Sequence, residues 1–275
     1  MSTPPSAPRL AYLAVMLVAA GFLLLYLFRS GNPPRPAQAD GVSQSSVDLE
    51  SVLSTGDAAA IRGALRPGLD LNSPMMKGTY RGLSPLHIVV TRALADAIAP
   101  LIQAGADPDA RTADGTTALM IAAVQESTPA LSELLTGGAS PDVRDSYGRS
   151  ALMLAARAGK SRSVESLISA GADVRTVDGT GATALWHSAG VPGNDEVIRR
   201  LLAAGAELDV ADSQGVTPLM RSAELADTSQ VILLLDLGAA AGSRSRDGRS
   251  ALDRARVRTD KHGLEIAAIL EQAGR

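Results

Sequence analysis

The chain has 275 residues, a net charge of -3, only 3% aromatic residues and no cysteine. This near-neutral balance excludes nucleic-acid binding through bulk positive charge, and the missing cysteines exclude disulfides and thiolate metal sites. Of 26 basic residues only Lys77, Lys160 and Lys261 are lysines, which with abundant alanine points to a GC-rich bacterial genome.

Residues 1–9 form a short tail. Leu10–Phe28 then runs for 19 residues without a charge. As a helix it spans about 28 Å, close to the roughly 30 Å of a bilayer core. Arg9 and Arg29 bracket it, and Tyr12, Tyr26 and Phe28 stand near its ends, where aromatic rings favour the interface. The pattern predicts an uncleaved single-pass signal anchor. A cleaved signal peptide is the competing reading: Ala37-Gln38-Ala39 resembles a cleavage site, but the apolar stretch is longer than such peptides use. Flanking charges nearly balance, and the short basic start favours placing the rest outside the cytoplasm. The expected location is a bacterial inner membrane with the following domain in the periplasm. The alternatives are a cytoplasmic domain or secretion after cleavage. Residues 29–45 are dominated by Pro, Gly, Ser and Gln and read as an extended linker.

From residue 46 to 275 the sequence repeats itself. Ser84-Pro85-Leu86, Thr117-Ala118-Leu119, Ser150-Ala151-Leu152, Thr183-Ala184-Leu185, Thr217-Pro218-Leu219 and Ser250-Ala251-Leu252 recur at steps of 33, 33, 33, 34 and 33, each with a Gly two residues ahead. Such a period predicts a stacked solenoid rather than a globule with one central core. After each tripeptide comes a short helix of small residues, its Ser or Thr placed as an N-cap. A second helix follows with a buried stripe, as in Leu131/Leu134/Leu135, Val164/Leu167/Ile168, Val197/Leu201/Leu202 and Val231/Leu234/Leu235. Gly-Ala pairs beginning at 105, 138, 171, 205 and 238 are placed to stop it. A degenerate earlier unit begins near Ser46, with Leu49, Val52, Leu53, Ile61 and Leu65, which brings the count to about seven.

The order Gly-x-Thr-Pro-Leu-His-x-Ala-Ala, Val-x-x-Leu-Leu, Gly-Ala-Asp, seen best in Gly82–Val90 and Gly148–Val174, resembles the ankyrin repeat. The resemblance implies an all-α solenoid of about seven helix-turn-helix units joined by short β-hairpin turns. Departures are informative. The family's Pro is Ala at 118, 151, 184 and 251, and its His survives only as His87, with Met120, Met153, Trp186, Met220 and Asp253 in the matching slots. Pro100 falls inside an expected second helix and should shift or kink it. Extra residues fall in Ser73–Gly82 and near Val191–Asn194. The last unit carries Arg and Lys where others are apolar, as a polar cap does.

No catalytic constellation emerges. His87, His187 and His262 lie in three different units, and no phosphate-binding or nucleophile motif is present. His87 holds the motif's structural slot, and His187 is placed to reach a partner. Asp145, Asp178 and Asp212 share one repeat position and read as turn residues. No cofactor and no metal is expected. What the resemblance implies is binding of a protein partner at the hairpin tips and first-helix surface. On this chain the tips offer Arg111, Arg144, Tyr147, Arg149, Gln214, Arg244, Arg246 and Arg249, and the first helices offer Arg157 and Arg221. Charge is segregated: residues 40–240 carry 15 basic and 24 acidic side chains, and residues 241–262 carry seven basic and three acidic. That basic end reads either as a dock for an acidic protein or lipid surface or as a solvated cap. The expected function is a membrane-tethered, non-catalytic protein–protein interaction module. An immunity-like inhibitor or accessory regulator of an envelope enzyme or effector, and a structural scaffold without a dedicated client, are the alternatives.

Overall fold

A computed structural model describes residues 44–76 and 79–274. The tail at 1–9, the anchor expected at 10–28 and the linker up to residue 43 lie outside the described residues. Among the described residues no helix is long and apolar enough to cross a membrane.

The helices come in pairs: α1 (Gln44–Thr55) with α2 (Ala58–Ala64), α3 (Pro85–Thr91) with α4 (Ile98–Gln103), α5 (Ala118–Gln125) with α6 (Thr128–Thr136), α7 (Ala151–Arg157) with α8 (Ser161–Ser169), α9 (Ala184–Ala189) with α10 (Asp195–Ala203), α11 (Pro218–Leu225) with α12 (Thr228–Asp236), and α13 (Ala251–Val257) with α14 (Lys261–Ala273). First helices from α3 to α13 pack on one another in chain order, and second helices from α4 to α14 form a parallel row. α1 begins at Gln44, two residues ahead of the boundary drawn from the sequence.

Local chemistry explains each element. Thr117, Ser150, Thr183 and Thr217 accept the backbone N–H of Met120, Met153, Trp186 and Met220, so the cap starts the helix whether Ala or Pro follows it. Ser250 and Asp253 form a reciprocal capping box. In the second helices Leu131, Leu134, Val164, Leu167, Val197, Leu201, Val231 and Leu234 are fully buried. These helices end in a two-bond motif around a left-handed Gly: after α6, Gly138 N–H bonds Leu135 O at 3.1 Å and Ala139 N–H bonds Leu134 O at 2.9 Å. Pro100 shortens its helix without kinking it. A 3-10 turn at Ala95–Ala97 comes first, and α4 starts at Ile98, so Pro100 sits in the first turn, where its missing N–H costs nothing. The extra residue near Val191–Asn194 is absorbed in a turn that buries Asn194, whose side chain donates to Ala156 O at 2.8 Å.

The connectors expected as β-hairpins are narrow turns. Among the described residues there is no strand, only an isolated antiparallel bridge between Arg111 and Thr117. The reason is brevity: Asp145 N–H bonds Arg149 O at 3.0 Å and Gly148 N–H bonds Asp145 O at 2.9 Å, which closes the turn before strands can pair. Successive tips instead bond to one another. Ser146 N–H donates to Asp114 O (2.9 Å), Gly179 to Tyr147 O (2.9 Å), Ser213 to Thr180 O (2.8 Å) and Arg246 to Gln214 O (2.8 Å).

Gly148 is needed twice in this row. Its φ is +78°, and a Cβ there would stand 2.8 Å from the Gly179 backbone nitrogen. Gly238 has φ +92° with nothing within 4 Å. Both Gly→Ala changes should cost about 1–2 kcal/mol for the backbone conformation, but Gly148→Ala should cost roughly 1–3 kcal/mol more, because it also overpacks the tip and breaks the inter-unit bond. Urea unfolding of the two variants side by side measures the difference.

Candidate functional site

The tips form one row, and their side chains differ in how free they are. Asp145 is buried and organises its whole turn. Its Oδ1 accepts Tyr147 N–H at 2.9 Å and Arg149 N–H at 2.8 Å, while its Oδ2 takes the Arg149 guanidinium through Nε at 2.8 Å and Nη2 at 2.6 Å. Asp178 and Asp212 hold their turns in the same way. Arg149 is therefore anchored to the scaffold, and it covers the half-exposed Tyr147 ring at 4.7 Å from the centroid. Arg144 donates to Val177 O at 2.7 Å, and Arg244 donates to Gly248 O at 2.7 Å with Asp253 at 3.4 Å. Arg249 stands 3.7 Å from Asp247. Arg111, Gln214 and Arg246 are exposed, and among the described residues their side chains make no hydrogen bond or ion pair.

The basic end is largely neutralised from within. Arg254 pairs with Glu224 at 2.9 Å, Arg256 with Glu271 at 2.7 Å and Arg258 with Asp260 at 2.6 Å. Arg258 also donates to the carbonyls of Ala223 and Ala226, tying the last unit to the one before.

Arg157 and Arg221 lie off the tip row, on the first-helix face. There the fourth residue of one first helix meets the seventh position of the preceding one where Arg221 crowds Gly190 and Arg254 pairs with Glu224. The fourth residues are Ile121, Leu154, His187, Arg221 and Arg254, and the seventh positions are Val124, Arg157, Gly190, Glu224 and Val257. The sequence places Arg157, Arg221, Glu224 and Arg254 on this face, but it does not show Gly190 there or that Glu224 pairs with Arg254. Aligning the fourth and seventh positions of every unit is the signal that finds them. Arg157 is exposed without a partner among the described residues. The guanidinium carbon of Arg221 stands over the Trp186 ring, 4.5 Å from its centroid. Burial pulls its guanidinium below the ordinary value, against the pull of Glu224.

Trp186 is itself structural. Its indole N–H donates to Val216 O at 2.8 Å, and His87 Nε2 lies 3.0 Å from Thr116 O. Both carbonyls immediately precede the next unit's capping threonine, so two different side chains in one slot make the same inter-unit bond. His87 is buried, with Ser84 Oγ 2.7 Å from Nδ1. A carbonyl can only accept, so Nε2 carries the proton. His187 is held too: its Nε2 bonds Asp178 Oδ2 at 2.8 Å. Burial lowers the affinity of both histidines for a proton, opposed by the Thr116 carbonyl at His87 and by Asp178 at His187. Burial acts to raise Asp178, but hydrogen bonds from Thr180, His187 and Ala182 prevail and lower it. The contact is thus a neutral imidazole on a carboxylate rather than an ion pair.

The family described as ankyrin repeats, in three copies, matches residues 86–178 and 152–245. The chain belongs to the ankyrin-repeat family. The ankyrin repeat domain of human ASB11 is similar in structure, with a TM-score of 0.69 at 22% identity over 82% of this chain and 96% of that one. The ankyrin repeat domain of Bcl-3, a member of the IkappaB protein family, gives a TM-score of 0.65 at 22% identity over 84% of this chain and 100% of that one. No curated protein matches. Ankyrin repeat domains generally mediate protein–protein interactions, and this array has their all-helical solenoid architecture.

The histidines bear on stability. Folded, His87 and His187 bind protons less readily than in the unfolded chain, so stability falls as pH drops through about 6.5. Asp178 acts only near the lower carboxylate range. The thermal midpoint should fall by a few degrees between about pH 7.5 and 5.5. His87→Met, with the residue found in this slot in three other units, should flatten that dependence. Thermal scans at both pH values test it.

Proposed function

We propose that this chain is a membrane-tethered ankyrin module that binds a protein partner through its tip row and first-helix face and performs no catalysis itself. The carrying observation is the contrast between scaffold and display. Backbone bonds join the tips at every step from Asp114 to Arg246, and buried leucines repeat, while the side chains shown outward change from unit to unit. Arg111, Gln214 and Arg246 are the tip residues with nothing else to hold. The uncharged Leu10–Phe28 stretch supports an inner-membrane anchor with the repeats in the periplasm, and the residues from 29 up to the start of α1 supply the tether. Confinement at one membrane face raises the effective concentration toward partners in that envelope.

Crosslinking in intact cells followed by purification of the full-length chain should recover one stoichiometric protein partner. Combined Arg111→Ala, Gln214→Ala and Arg246→Ala changes should reduce that recovery by about tenfold without altering folding. Recovery of the chain alone would leave a clientless scaffold and end the partner reading. A cytoplasm-only reporter fused to the C-terminus should be inactive, and activity would reverse the orientation.

A further inference from the structure

The first-helix face carries cations that the chain itself does not neutralise. At the step from α11 to α13, Glu224 in the seventh position meets Arg254 in the fourth, Oε2 to Nη1 at 2.9 Å. That arginine has its own counter-charge. At the step from α9 to α11, the seventh position is Gly190, with no side chain to offer. A Cβ there would stand 2.7 Å from Arg221 Nε, so the arginine fills the place an acidic side chain would take. Arg221 rests on Trp186, its Nε is buried without an acceptor, and its side chain makes no ion pair or hydrogen bond with any described residue. The closest carboxylate on its own helix, Glu224, is engaged by Arg254.

One step earlier, Arg157 is exposed and equally without a carboxylate. Arg157 and Arg254 press electrostatically on Arg221 against the pull of Glu224 and Asp212, and Arg157 and Arg149 press on His187 against the pull of Asp178. Arg149 pairs with Asp145 and Arg254 with Glu224, which leaves Arg157 and Arg221 as the two without an ion pair among the described residues. Preceding them, at the step from α5 to α7, Val124 and Leu154 occupy the same two positions, half-buried and apolar.

We propose that Arg157 and Arg221 receive carboxylates from an acidic segment of the protein partner, whose neighbouring apolar side chains lie over Leu154 and Val124. The inference rests on the partner-binding reading above and names the chemistry of that partner. The chain supplies its own precedent: a carboxylate fills the equivalent step one unit later, at Glu224 and Arg254. The adjoining apolar positions suit a peptide, with its alternation of side chains, better than a lone anion. Guanidinium forks match carboxylates with two donors, and stacking on an indole holds the fork in place.

Trp186 is the sole tryptophan of the chain, so its emission reports directly on Arg221. The full-length chain is titrated with a short synthetic peptide alternating Glu and Leu, with the same peptide carrying Gln for Glu, and with inorganic phosphate. The Glu peptide should give a saturable change in emission, about tenfold or more tighter than the Gln peptide. Arg157→Gln, at an exposed side chain, should weaken it by a similar factor. Arg221→Met, which keeps an apolar stem on Trp186, should abolish it while circular dichroism stays unchanged. Equal binding of the Glu and Gln peptides, or unchanged binding by Arg157→Gln, overturns the proposal. Phosphate that saturates the site more tightly than the peptide overturns it in favour of a simple anion site. A crosslinked partner that is still recovered by both arginine variants removes this inference and leaves the partner reading standing.

Discussion

Neighbouring units are joined by two rows of hydrogen bonds, and the rest of the array is arranged so that those rows can close. One row links tip to tip through the backbone. The other runs along the connectors behind the second helices: Asn72 accepts Asp107 N–H at 2.7 Å, Asp109 accepts Ser140 N–H at 2.9 Å and Asp142 accepts Asp173 N–H at 3.0 Å. Each such bond is worth about 1 kcal/mol net, whereas each fully buried leucine or valine contributes roughly 1.5–3 kcal/mol. Apolar burial therefore supplies most of the stability. It is non-directional, however, and tolerates sliding of one unit on the next. The bond rows are directional and set the step. This explains why a glycine recurs at the tip of every unit from Gly82 to Gly248.

The slot where the family has histidine shows how much a unit can change while the step is kept. His87 and Trp186 both bond the next unit's carbonyl. Met120, Met153 and Met220 cannot donate, but they are buried and fill the volume with an adaptable side chain. Asp253 turns the slot into a capping box, in which it and Ser250 satisfy each other's backbone N–H. The replacement at 186 has a second consequence. An indole is broad enough both to bond Val216 O and to offer a flat face, and that face is the floor on which Arg221 rests. A structural substitution thereby created an ordered cation.

The repeat step was legible as a recurrence every 33 or 34 residues, and the caps, leucine stripes and helix-ending glycines because each depends on residues within about four positions of one another. Asp145, Asp178 and Asp212 were legible as turn residues for the same reason. The fate of the arginines was not. Arg149 and Arg144 look alike on paper, yet one is held by a buried carboxylate four residues away and the other by a carbonyl one unit on. The basic last unit read as a block of excess charge, but the fold threads Glu224, Glu271 and Asp260 among its arginines. Pro100 was legible as a disturbance but not as a shortened helix, since only the packed structure shows that the chain could take up the difference in a 3-10 turn.

Whether an exposed arginine serves recognition depends on what its charge already does. A surface pair such as Arg256 with Glu271 contributes little, and its arginine would have to leave one carboxylate to gain another. Arg221 faces no such exchange. Its stem and guanidinium already pack on Trp186, and no carboxylate forms an ion pair with it among the described residues. Binding of a carboxylate there adds attraction that offsets the repulsion from Arg157 and Arg254, and little further side-chain entropy is lost. Gly190 makes this possible through what it lacks. Any larger residue would push Arg221 off the indole, and an acidic one would neutralise it from within, as Glu224 does for Arg254. The same scaffold step thus yields either a closed internal pair or an open cation, according to a single position.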